Sequence, residues 1–124
     1  MKLLPLLLCA MALLSGCQSY EQHSAERTAK LRELYPPGTS KEAIHAKWGS
    51  KPDFSASRPT DGWKVYPNKY LAKVVNTLET KTGKKIDSLE RFWGADGLSS
   101  LARCYYYYDS DDRLVDVEWE YMSD

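Results

Sequence analysis

The sequence is short of several things that common functions require. It has no charge of one sign in excess: 17 Lys and Arg oppose 17 Asp and Glu. That balance excludes a nucleic-acid binder relying on a global positive field. Histidine occurs only at His23 and His45, and cysteine only at Cys9, Cys17 and Cys104. Neither set has the spacing of a zinc centre, and the cysteines are too few and too scattered for a disulfide scaffold. No glycine-rich phosphate loop is present, since Gly94 and Gly97 stand almost alone. Asp109, Asp111 and Asp112 begin like a calcium loop, but Arg113 takes the next ligand position and no Gly or late Glu follows. Cys104 has no base near it in the chain and reads as a small buried hydrophobe. No catalytic set, metal or cofactor is therefore expected, nor a small-molecule substrate, and the chain reads as non-enzymatic.

Long apolar runs are also scarce, with one exception. After Lys2, residues 3–14 are apolar, and small residues Ser15 and Gly16 precede Cys17. The run is shorter than the roughly 20 residues that span a bilayer, and its layout is that of a secretory signal peptide. Leu14-Ser15-Gly16-Cys17 resembles a bacterial lipobox. The resemblance implies removal of residues 1–16 and lipidation of Cys17. Two or three acyl chains anchor a protein far more firmly than one. Gln18, where an aspartate favours inner-membrane retention, points to the outer membrane, with the folded part facing the periplasm. Cys104 is then the only free thiol.

Residues 17–37 read as the lipidated Cys, a tether and a lead-in helix, with Leu31, Leu34 and Tyr35 as a short stripe before Pro36-Pro37-Gly38. Residues 38–124 read as one small α+β domain. Thr39 and Glu42 fit a capping box for a helix over 39–49, with Ile44 and Trp48 on one face and Gly49 as its C-terminal cap. Gly62 to Tyr66 suits a short strand. Over 68–83, Leu71, Val74, Val75 and Leu78 mark a buried helical stripe. Residues 86–94 fit a helix or a strand, and the strand is preferred, before a turn over 94–97. Residues 101–121 form the plainest β signal, two strands about an Asp-rich turn. Centring that turn on Ser110-Asp111 pairs Tyr106 with Val115 and Cys104 with Val117, and sets Arg103 against Glu118. Alternation then turns Tyr106 and Tyr108 inward, and Tyr105 and Tyr107 outward beside a solvated acidic row.

Charge is segregated within the neutral total. Residues 64–91 hold seven basic and three acidic groups, and residues 103–124 two basic and seven acidic. Lys69, Lys73, Lys81, Lys84 and Lys85 are candidates for contact with an anionic surface such as lipid or lipopolysaccharide. Tyr105, Tyr107, Asp116, Glu118 and Glu120 are candidates for protein binding, because exposed tyrosines beside charges are common interface anchors.

Gly38-Thr39-Ser40-Lys41-Glu42-Ala43-Ile44, followed by Trp48-Gly49 and Pro52-Asp53, resembles the signature of small outer-membrane lipoproteins of the small protein A (BamE-like) family. The hairpin Tyr106-Tyr107-Tyr108-Asp109, with Asp112-Arg113-Leu114-Val115 and Trp119, resembles their closing strands. The resemblance implies an α+β fold of two main helices on an antiparallel sheet of about three strands, a fold shared with beta-lactamase-inhibitor proteins. It implies a lipid-anchored protein working through envelope protein partners in outer-membrane assembly or maintenance. The alternative is a binding or inhibitor module for a periplasmic enzyme or an envelope glycan.

Overall fold

A computed structural model describes residues 20–95 and 101–121. The signal segment, Cys17 and most of the turn after Gly94 lie outside these residues. Two helices come first, α1 (Tyr20–Leu34) and α2 (Lys41–Trp48), then a short strand β1 (Phe54–Ser57) and a 3-10 turn (Trp63–Val65). Helix α3 (Lys69–Thr82) follows, and then strands β2 (Ser88–Ala95), β3 (Leu101–Tyr108) and β4 (Leu114–Tyr121). The four strands form one antiparallel sheet in the order β1-β2-β3-β4.

Local chemistry explains the helix ends. Ser40, rather than Thr39, caps α2: its Oγ accepts the Ala43 N–H at 3.2 Å. The Thr39 hydroxyl instead donates to the Pro36 carbonyl at 2.6 Å. Gly49 ends α2 in the left-handed region (φ 65°), where a Cβ would be strained. Asn68 caps α3 through Leu71 N–H. The expected strand over 62–66 is instead a 3-10 turn. Its hydrogen bonds run locally, Gly62 N–H to Pro59 O and Tyr66 N–H to Trp63 O, which leaves no ladder to join.

The sheet has four strands where about three were expected, β1 adding the edge beside β2, and it is covered on both faces, with the lead-in helix α1 packed on it alongside α2 and α3. On the first face, α1 and α2 bury Leu31, Tyr35 and Ile44 against Phe92, Tyr106 and Trp119. Trp48 stacks on Phe92 at 5.0 Å, and its indole N–H donates to the Tyr106 hydroxyl at 2.7 Å. On the second face, the α3 stripe and Trp63 bury Leu89, Tyr105, Tyr107 and Val115. Trp63 is fixed there by its indole N–H donating to Ile86 O at 2.8 Å.

The β3–β4 hairpin forms, but its register lies two residues from the expected one. Cys104 faces Trp119, Tyr106 faces Val117, and Arg103 faces Glu120. The turn is longer than the sequence suggests. Asp109 N–H bonds to Arg113 O, and Asp112 takes a left-handed conformation (φ 56°). The Asp109 carboxylate accepts the Asp111 and Arg113 N–H groups. A bulge at Tyr107/Tyr108 then absorbs the extra residue.

Candidate functional site

The outward pair expected at Tyr105 and Tyr107 is not exposed: the two are 6% and 0% accessible. Alternation sets them on the second face as expected, but α3 lies across that face. Asp116, expected on a solvated row, is likewise only 5% exposed. It is held by Arg32 of α1 through two bonds, Nε–H to Oδ1 at 2.7 Å and an Nη2–H to Oδ2 at 3.2 Å. That bond, opposed by desolvation, holds the Arg32 guanidinium above its already high ordinary pKa. Glu118 and Glu120 are half-buried.

What stays open on the second face is the end that α3 does not reach. Three rows lead across the second face toward that end, and Leu89, Tyr105, Tyr107 and Asp116 of the inner two are still buried. The innermost joins Ala56, Leu89, Tyr107 and Asp116, and the next joins Phe54, Arg91, Tyr105 and Glu118. The outermost joins Trp93, Arg103 and Glu120. Trp93 is 54% exposed. Arg103 reaches Glu120 at 3.4 Å. Arg91 forks onto Asp53 at 2.9 Å and lies 5.3 Å from the Phe54 ring. The Asp53 hydrogen bond raises the Arg91 pKa, so this cation stays charged at any working pH. A tryptophan between two positioned arginines on an open sheet end is the composition that dominates protein interfaces.

A second feature follows the outer edge of β4. The strand's outward N–H groups are occupied: Leu114 by Thr39 O at 2.8 Å, Val117 by its neighbour's Asp116 Oδ1 at 2.8 Å, and Trp119 by Thr28 Oγ1 at 3.1 Å. The edge is thereby closed to strand addition along this stretch. Between α1 and α3 a groove of about 560 Å³ runs over it.

The five candidate lysines are all exposed, and none makes an ion pair among the described residues. On α3 itself, the single acid, Glu79, is turned away to Arg58 and the Ile86 N–H. The outward face of that helix is therefore basic and carries Tyr70, 59% exposed.

Each histidine has a place the sequence did not suggest. His23, read as part of a tether, sets its ring edge-on to Trp119 at 5.4 Å. His45 approaches both Glu90 oxygens at 2.8 and 2.9 Å, covering a carboxylate buried on the first face. Cys104 is fully buried, and no cluster of three or more His, Cys, Asp or Glu suited to a metal occurs among the described residues. The described residues also include no helix long and apolar enough to cross a membrane. No protein family, curated protein or solved structure matches the chain.

Proposed function

We propose that the chain is a non-enzymatic envelope lipoprotein, anchored through Cys17 in the outer membrane, that works by protein contact in envelope assembly or maintenance. The observation that carries the contact reading is the open end of the second sheet face. Trp93 stands half out of the protein there, while Arg91 and Arg103 are pre-positioned by Asp53 and Glu120. Side chains held in place before contact lose less entropy on binding. The lipobox and the resemblance to BamE-like proteins supply the cellular setting. The basic face of α3 suits an anionic bilayer, each lysine near such a surface contributing about 1 kcal/mol.

The test is capture of partners from detergent extracts by the lipidated protein. Trp93→Ala is expected to keep the far-ultraviolet spectrum and the melting temperature but lose the captured envelope protein. Capture undiminished by Trp93→Ala would reject the open sheet end as the contact surface. The alternative, an inhibitor or glycan-binding module, predicts that the same variant loses a periplasmic enzyme or a glycan instead.

A further inference from the structure

The groove over the β4 edge has the chemistry of a cation site. Its floor and walls carry Glu21, Asp116, Glu118 and Glu120 against Arg32 and Lys81, a net of four negative minus two positive, or −2. Two of these carboxylates are already neutralised, Asp116 by Arg32 and Glu120 by Arg103. Glu118 is not: among the described residues it makes no ion pair and no hydrogen bond, although it is half-buried. A second observation is independent of the acids. Tyr107, 0% exposed, has a buried hydroxyl with no hydrogen-bond partner; it does not itself line the groove but stands opposite Asp116, and of its electrostatic neighbours Glu118, Tyr105, Tyr70 and Asp116 all but Tyr105 line it. The Ser24 Oγ, from the α1 wall, is also buried without a partner. Native proteins rarely leave such atoms unpaired. An acceptor-only carboxylate, the idle Ser24 hydroxyl and an aromatic wall of Tyr70 and Trp119 match a group that donates several hydrogen bonds and carries positive charge.

We infer that this groove receives a basic side chain, arginine or lysine, from a peptide segment of a partner protein, with Glu118 as its counter-charge. The size agrees, because about 560 Å³ exceeds what one side chain needs and admits a short peptide. The occupied N–H groups of β4 mean that the segment is read by its side chains and not by strand addition. Burial, then Glu120 and Asp116, raise the pKa of Glu118, so its charge is held at a cost that an incoming cation relieves. This groove adjoins the Trp93 end, sharing Glu120 with its outermost row, but Trp93 itself does not line it.

The test is calorimetric titration of the full chain in detergent with acetyl-Arg-Leu-Arg-amide, and with the same peptide carrying citrulline in place of arginine. The arginine peptide is expected to bind, and the uncharged peptide to bind at least tenfold more weakly. Glu118→Gln is expected to weaken arginine-peptide binding by about tenfold or more, as for loss of one charge-assisted hydrogen bond. Removing a desolvated charge leaves folding intact, so the variant reports on binding. Tyr70→Ala, an exposed position, is expected to weaken binding severalfold without unfolding. Equal affinity for the two peptides, or unchanged affinity in Glu118→Gln, would overturn the proposal. Binding lost in Trp93→Ala but kept in Glu118→Gln would also overturn it, by moving the contact to the open sheet end.

Discussion

Replacing Asp116 tests how the β4 edge is held, because this one carboxylate does two things. It accepts two bonds from Arg32 and also accepts the Val117 N–H. The Arg32 side chain is 39% exposed, so the pair is screened and contributes about 1 kcal/mol, not the several that a fully buried pair would. The Val117 N–H, left bare at a groove that water can enter, costs about 1 kcal/mol more. Asp116→Ala should therefore destabilise by about 2 kcal/mol. Asp116→Asn, whose amide oxygen can still accept from Val117, should lose about half of that, and Arg32→Ala about the same half. For a domain of this size, 2 kcal/mol lowers the melting temperature by roughly 10 °C. Urea denaturation of the four proteins and of the double variant Arg32→Ala/Asp116→Ala reads these differences directly. The double variant should cost little more than Asp116→Ala, since both changes remove one interaction. Equal losses in the Ala and Asn variants, or additive losses in the double variant, would refute the two-role reasoning.

Other outcomes follow from the same structure. Trp63→Ala should cost about 3–5 kcal/mol in denaturant, since a buried ring and its bond to Ile86 O are both lost. Tyr107→Phe should be neutral or stabilising by roughly 1 kcal/mol, because the deleted hydroxyl has no partner. Glu118 has a folded-state pKa above its ordinary value, so its contribution to stability is present below the ordinary glutamate pKa and is lost as pH rises through the raised one. Glu118→Gln should thus match the parent in acid denaturation below the glutamate range and exceed it in stability at neutral pH. Exchanging Lys69, Lys73 and Lys81 for Gln should weaken binding to vesicles containing anionic phosphatidylglycerol in low salt and make no difference in 1 M salt.

Much of the fold is legible in the residues. The stripe Leu71, Val74, Val75, Leu78 does face the core, with Leu71 and Val75 buried. Gly49 and Gly83 end their helices in the left-handed region, and residues 88–95 are a strand. The register of the hairpin was less legible, because a five-residue turn and a bulge depend on how the Asp109 carboxylate folds back on its own backbone. The site was least legible. Four consecutive tyrosines reveal which pairs share a face, but not that a helix more than twenty residues earlier covers the other face. Trp93 carried no exposure signal of its own, since a tryptophan in an alternating run reads as core. His45 and Glu90, 45 residues apart, become partners only when α2 lands on β2. Arg32 and Asp116, 84 apart, meet only when α1 docks along β4.

The most direct measurement of the contact surface is site-specific photocrosslinking of the full lipidated chain in the membrane. A photoreactive residue is placed in turn at positions 93 and 103, on the open sheet end, and at 77, on the outward face of α3. One discrete protein adduct from 93 and 103, and none from 77, is the expected result. Adducts absent from 93 and 103, or equally strong from 77, would contradict a partner seated on the open end of the sheet.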